Sequence, residues 1–142
     1  MHESCLDNQQ QIKALFSDCA SADEKYRLIM SLGKELPTMP LEQRTQENIV
    51  DGCQSILYLH STLSEGNLYF TGFSEALISY GLAALLIKAY GGQPPATLIQ
   101  CPPHFIEELG LNSSLSPGRS NGLASMFLRM QQDALKFLVA TQ

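Results

Sequence analysis

The chain has 142 residues, the size of one ordinary domain, and 44% of them are hydrophobic against 16% charged, which supports a packed core and excludes a disordered tail. Nine Lys and Arg against fourteen Asp and Glu leave a formal charge of −5. That argues against a general nucleic-acid or anionic-membrane binder, since both need a positive field.

The first residues, Met1-His2-Glu3-Ser4-Cys5-Leu6-Asp7, are polar and acidic where an export signal begins basic and turns apolar, so the expected address is cytoplasmic. Residues 1–7 are expected to be mobile, within a single domain over 1–142. Ile12, Leu15, Phe16 and Cys19 then have the spacing of one face of a short helix. A second helix starts at Ser21, three residues before Glu24, the reciprocal capping-box arrangement. Tyr26, Ile29, Met30 and Gly33 share a face of it, and Leu36-Pro37-Thr38-Met39-Pro40 ends it, because proline lacks the helical N–H donor. Residues 54–60 suit a strand, Ser64-Glu65-Gly66-Asn67 reads as a turn, and residues 68–71 form a second strand, giving an antiparallel hairpin. Residues 47–50 are a candidate third strand.

Helices return after the hairpin. Ser74 reads as an N-cap with Glu75 in the first turn, and the segment to Tyr90 is apolar nearly all round, as a buried central helix would be. It is broken by Ser79, Tyr80 and Gly81 and is too short to span a bilayer. Gly91-Gly92 ends it, with Lys88 in the last turn. Residues 94–100 and 103–109 are candidate short helices. The last helix begins at Ser116-Pro117, an N-cap followed by proline at the first helical position, and Leu123, Met126, Phe127, Met130, Ala134, Phe137 and Leu138 form its inward stripe. Helices, a small hairpin sheet and helices again define an α+β fold, with a small antiparallel sheet of two to three strands covered by helices. No Rossmann glycine fingerprint or Walker lysine motif is present, so nucleotide binding has no support.

The four cysteines, Cys5, Cys19, Cys53 and Cys101, are far apart with no C-x-x-C, and the three histidines, His2, His60 and His104, are equally scattered. Neither a disulfide framework nor a zinc site follows from such spacing, so no metal is expected. Each cysteine stands alone. Cys53 differs in its setting, Asp51-Gly52-Cys53-Gln54-Ser55, where Gly52 permits an unusual backbone conformation just before the thiol. A cysteine nucleophile acts as thiolate, only roughly 3% populated at neutral pH for an unperturbed pKa near 8.5, so reactivity needs a nearby cation or donor. Free cysteine is also among the most buried residue types, and spacing alone leaves a packed structural Cys53 open. Arg119, between Gly118 and Gly122 at the start of the last helix, is either a surface arginine or a cation for a thiolate or a partner's carboxylate.

Taken in order, these segments resemble the SufE family of sulfur-acceptor proteins over most of the chain. The resemblance is carried by Tyr26, Leu32-Gly33, Leu36-Pro37, Arg44 and Asn48, then by Val50 with Gly52-Cys53-Gln54-Ser55. Ser74, Ala76, Gly81-Leu82, Leu85 and Tyr90 follow, then Leu109-Gly110-Leu111, Leu115-Ser116-Pro117, Arg119 and Asn121-Gly122-Leu123. Tyr58 stands where the family commonly has tryptophan, Glu75 where it has aspartate, and Tyr80 where a basic residue is common.

The resemblance implies a fold similar to the iron–sulfur scaffold proteins of the IscU type and a role as sulfur acceptor and carrier. Sulfur would come from a pyridoxal-phosphate cysteine desulfurase of the SufS or CsdA type, whose turnover the carrier raises. It would pass to a cluster scaffold of the SufBCD type. By motif position Cys53 is the persulfide acceptor, supported by Gly52, Gln54, Ser55 and Arg119, with Glu75 a candidate for the partner interface. The chain would need no cofactor of its own, since pyridoxal phosphate belongs to the desulfurase. One cysteine is enough for thiol–disulfide-type exchange, and because a persulfide is easily lost, the Cys53 loop is expected to have a sheltered and an extended state. Homodimerisation stays open. The rival readings are an IscU-type scaffold holding metal or cluster and a non-catalytic regulator that only docks on the desulfurase.

Overall fold

The structure is a computed structural model that describes residues 1–140. Helix α1 spans Glu3–Leu15 and α2 Ala22–Gly33. Strands β1 (Tyr58–Ser64) and β2 (Asn67–Phe73) follow, then α3 (Leu77–Tyr90), α4 (Pro95–Gln100), α5 (His104–Glu108), α6 (Leu111–Ser114) and α7 (Pro117–Ala140). The fold is α+β, with helix α3 at its centre touching α1, α2, α7 and β2. Its apolar surface is consumed on nearly every side: Ile78, Leu82, Ala83, Leu85, Leu86, Ala89 and Tyr90 are all buried.

Helix α1 begins at Glu3, and Cys5, Gln9, Ile12 and Phe16 form its buried face, at spacings of one helical stripe. Ahead of it the His2 ring lies 3.1 Å from Thr97 Oγ1 and 3.0 Å from Gln100 Oε1, which ties the terminus to α4. Leu15, expected on the inner face, is exposed. In α2 the Ser21 hydroxyl caps the helix as the sequence predicts, accepting from the Glu24 N–H at 3.2 Å, while the Glu24 carboxylate accepts from the N–H of Ala20, one residue before the cap, rather than from that of Ser21. Tyr26 lies outside the buried face formed by Ile29, Leu32 and Gly33.

Helices α2 and α3 approach closely at two glycines. A Cβ on Gly33 would lie 3.0 Å from the Gly81 nitrogen, and a Cβ on Gly81 would overlap the Ile29 carbonyl oxygen. Only hydrogen fits at Gly81, which is why this position interrupts the apolar run of α3.

The hairpin pairs Tyr58 with Phe73 through to Ser64 with Asn67. Glu65 (φ 51) and Gly66 (φ 83) make the two-residue turn, both in the left-handed region that matches the twist of the strands. The first strand starts at Tyr58 rather than at residue 54. Residues 54–57 belong to a loop instead, closed by the Val50 N–H donating to Leu57 O at 2.9 Å and the Ser74 hydroxyl donating to Ile56 O at 2.7 Å. The expected third strand at 47–50 does not form either. Gln46–Asn48 is a 3₁₀ turn, and the segment meets the sheet through one isolated bridge, Ile49 with Tyr58, and a 3.1 Å contact between Asn48 Nδ2 and His60 Nδ1.

Ser74 is not the N-cap of α3, and Glu75 is not in its first turn. The helix begins at Leu77; Ser74 is buried, and its hydroxyl staples the loop before β1 while accepting from the Ala76 N–H at 3.2 Å. Helices α4, α5 and α7 stand where the sequence puts them, and Ser116 Oγ caps α7 by accepting from the Arg119 N–H at 3.4 Å. The single turn α6 has no signal of its own. On α7, Leu123, Met126, Met130 and Ala134 are buried, while Phe127 and Phe137 are half-buried against the core.

Candidate active site around Cys53

Cys53 sits at the tip of a short loop with a pinned neck. Val50 and Leu57, both buried, close the neck through their backbone hydrogen bond. Ser74 fixes Ile56 from one side, and Arg129 reaches the other limb, its Nη1 donating to Ile49 O at 3.2 Å and its Nη2 to Glu47 O at 2.8 Å. Arg44 lies with its guanidinium 3.9 Å from the centre of the Phe73 ring, and Asn48 Nδ2 donates to Gln43 O at 2.7 Å, which shapes the approach to the neck. Between the two limbs Asp51 and Gly52 form a local turn, and residues 51–55 make no close backbone–backbone hydrogen bond to any other segment among the described residues. What holds the tip against the rest of the fold is side chains.

Its seat is one face of α7. Gly118 faces Gln54, Gly122 faces Cys53, Ser125 faces Gly52, and Arg129 bonds Ile49. These helix positions are spaced i, i+4, i+7 and i+11, one stripe, and the loop runs along it in the opposite direction. The residues at the tip end of the stripe are small and the loop lies against the helix there: a Cβ on Gly118 would overlap the Gln54 side chain, and one on Gly122 would be in contact with Cys53 Cα and Sγ at 3.8 Å. Gly52 has φ +90, and a Cβ there would also overlap the Ser125 hydroxyl, so glycine is required twice over.

The thiol itself is half-buried, with Sγ 3.8 Å from the Gly122 carbonyl oxygen. Burial pushes its pKa above the ordinary thiol value, and the charge of Arg119 pulls it back down. Arg119 is fixed by two hydroxyls: its Nη1 donates to Ser55 Oγ at 2.9 Å and to Ser79 Oγ at 2.7 Å. The first bond latches the downstream side of the tip; the second ties the guanidinium to the buried start of α3.

Of the residues expected at the site, Gly52, Cys53, Ser55 and Arg119 are brought together, and Gln54 is exposed beside Gly118. Glu75 does not touch the thiol. It is exposed at the lip of a neighbouring cavity of about 510 Å³, lined with Ser55, Ile56, Tyr58, Phe73 and Ser74. Four contributors escape a reading of the sequence for site residues: Ser79, Ser125, Arg129 and Asp133. Ser79 does leave a signal, a polar residue in the middle of an otherwise apolar helix. The other cysteines lie elsewhere: Cys5 and Cys101 are buried together, both within 3.8 Å of Gln9 Nε2, and Cys19 follows α1. Among the described residues no three His, Cys, Asp or Glu side chains converge to hold a metal ion. No helix among them is long and apolar enough to cross a membrane.

The chain belongs to the SufE family: the family profile, described as an Fe-S metabolism associated domain, matches residues 10–134. That places the protein in iron–sulfur metabolism. The chain is 37% identical over 127 residues to SufE-like protein 1, chloroplastic/mitochondrial, of Arabidopsis thaliana, covering 89% of this chain and 34% of that one, so it spans about a third of the relative's length. It is 35% identical over 130 residues to an uncharacterized SufE-like protein of Synechocystis, covering 92% of this chain and 82% of that one. The solution structure of a hypothetical protein from Thermus thermophilus has the same fold, with a TM-score of 0.76, 22% sequence identity, and coverage of 93% of this chain and 96% of that one.

Proposed function

We propose that this protein accepts sulfur on Cys53 from the persulfide of a pyridoxal-phosphate cysteine desulfurase of the SufS or CsdA type. It then passes the sulfur to an iron–sulfur scaffold of the SufBCD type. The observation that carries the reading is the placement of half-buried Cys53 on a tip with no close backbone hydrogen bond to the rest of the fold, within the electrostatic reach of Arg119.

The step needs little else. The Cys53 thiol gives its proton to solvent or a partner base, and the thiolate attacks the outer sulfur of the desulfurase persulfide. A new S–S bond forms to Cys53 as the old one breaks, and the enzyme's cysteine leaves as thiolate. Sulfur moves at its own oxidation level, so no external oxidant or reductant enters. Burial keeps the resting thiol protonated and quiet; lifting the tip from α7 returns it to water, where more of it ionises. Sheltered and extended states of the tip therefore separate storage from transfer. By relieving the enzyme of its persulfide, the acceptor raises desulfurase turnover. The chain supplies no cofactor in this scheme, and cytoplasmic placement is part of the same proposal.

The test compares desulfurase turnover with the parent chain and with Cys53→Ser. Loss of stimulation in the variant, with unchanged binding to the desulfurase, is expected. Full stimulation by Cys53→Ser would make the protein a docking regulator instead. Stoichiometric iron or an iron–sulfur chromophore after anaerobic purification would favour a scaffold of the IscU type.

A further inference from the structure

The limb of the loop that enters the tip is held by a set of groups no motif reading picks out. Arg129 uses all three of its nitrogen positions at once. Nε donates to Asp133 Oδ1 at 3.1 Å, while Nη1 and Nη2 donate to the Ile49 and Glu47 carbonyls at 3.2 and 2.8 Å. Asp133 is buried, and its second oxygen accepts from Ser61 Oγ on β1 at 2.6 Å. The ion pair is little exposed, with 20% of the Arg129 side chain and 12% of the Asp133 side chain accessible. The chain of bonds thus runs from the sheet, through α7, to the backbone just ahead of Cys53. An ion pair as enclosed as this costs desolvation that a surface pair avoids, and it is retained where its geometry is fully satisfied, as here.

The other limb is held differently. Its contact with α7 is a bond between two side chains, Arg119 to Ser55, and Arg119 keeps its bond to Ser79 if Ser55 leaves. The latch near Ser55 can open without leaving a buried charge alone. The anchor at Ile49 and Glu47 is firmer, because one guanidinium already oriented by Asp133 gives two charge-assisted bonds to the backbone, and both must break for this limb to leave.

We infer that Arg129 and Asp133, steadied by Ser61, are positioning residues that pin the entering limb of the Cys53 loop, so that the tip swings from a fixed point and delivers the thiol to one place. As a statement about sulfur delivery this rests on the sulfur-transfer reading above; as a statement about the loop it does not. A loop without the pin would expose its thiol more often and present it less accurately. Reactivity toward a small reagent and capture of sulfur from a docked protein would then change in opposite directions, a pattern that general loosening of the fold does not produce.

The experiment uses the full chain with Arg129→Gln and Ser61→Ala. Native protein is treated with iodoacetamide, and alkylation is counted at each cysteine by peptide mass spectrometry. Buried Cys5 and Cys101 report global opening. In Arg129→Gln, Cys53 alkylation is expected to rise about tenfold while Cys5 and Cys101 hold their rates, as for a local opening. With a desulfurase, maximal stimulation should fall about tenfold while the concentration giving half-maximal stimulation stays put, because docking is intact and presentation is not. Ser61→Ala should move both readouts the same way, about threefold, since it removes one neutral donor to the pair; it decides the matter alone if Arg129→Gln does not fold. Unchanged Cys53 alkylation, or a rise shared with Cys5 and Cys101, would overturn the pin. If the parent chain itself takes no sulfur, the sulfur-transfer reading fails, while the alkylation ratio still judges the pin.

Discussion

Gly52→Ala offers the sharpest perturbation of the Cys53 tip. Two costs follow from the geometry. An alanine at φ +90 lies where L side chains rarely go, a strain of about 1–3 kcal/mol. Its Cβ would also overlap the Ser125 hydroxyl and crowd Ser125 Cβ at 3.2 Å. The fold has two ways to answer: deform the neck and core, or let the tip leave α7. Leaving is the cheaper, because residues 51–55 forfeit no backbone–backbone hydrogen bond, only the Arg119–Ser55 bond and the packing of Cys53 on Gly122. A strain of about 2 kcal/mol, relieved only in the lifted state, raises the lifted-to-seated ratio about 30-fold. Iodoacetamide alkylation of native protein, read at each cysteine, should show Cys53 accelerated by up to that factor while Cys5 and Cys101 stay protected. The loss of melting temperature is bounded by the few contacts of the tip and should not exceed about 5 °C. Adding Ser125→Gly should recover part of the seating, since it removes the overlap and leaves the φ strain. A large fall in melting temperature with Cys53 no more reactive would refute the reasoning, because it would mean that the tip is not an independent unit.

Arg119→Ala removes the latch to Ser55 and should speed Cys53 alkylation of native protein at neutral pH while Cys5 and Cys101 stay protected, where an unchanged rate would contradict the assigned role. Gly81→Ala forces α2 away from α3 at the Ile29 carbonyl and should cost about 2–3 kcal/mol, or about 10 °C in melting temperature, where a change under about 2 °C would show that the helices yield freely. Burial, with a smaller contribution from Cys101, pushes the Cys5 thiol up to about 12. The unfolded chain therefore loses this proton first as pH rises, so the Cys5 contribution to stability is constant below about pH 9 and turns against folding above it. Urea midpoints at about pH 7 and about pH 10.5 check this, and equal midpoints would contradict it.

Much of the fold can be read from local chemistry. Ser21 with Glu24, Ser116-Pro117 and Gly91-Gly92 mark helix ends because capping and glycine signals act within a few residues. The first strand begins later than its composition suggests because residues 54–57 look strand-like, yet the Val50–Leu57 closure that makes them a loop is tertiary. Ser74 reads as a helix cap for the same reason: its hydroxyl is taken by Ile56, on a segment the local sequence does not place beside it. At the site, Gly52 announces its unusual φ from sequence alone. The meeting of Arg119 with Ser55 and Ser79 does not, because it joins α7, the loop and α3. Arg129 and Asp133 carry the i, i+4 spacing of an ordinary surface pair, and only the burial of Asp133 sets them apart.

The central claim is that Cys53 receives sulfur, and mass spectrometry tests it most directly. The parent chain would be mixed with an active cysteine desulfurase and cysteine, and the products mapped by peptide with and without reductant. One added sulfur atom on the Cys53 peptide, removed by reductant and absent from Cys53→Ser, is the predicted result. Sulfur found on Cys5, Cys19 or Cys101 instead, or on no cysteine while the desulfurase turns over beside it, would contradict the account.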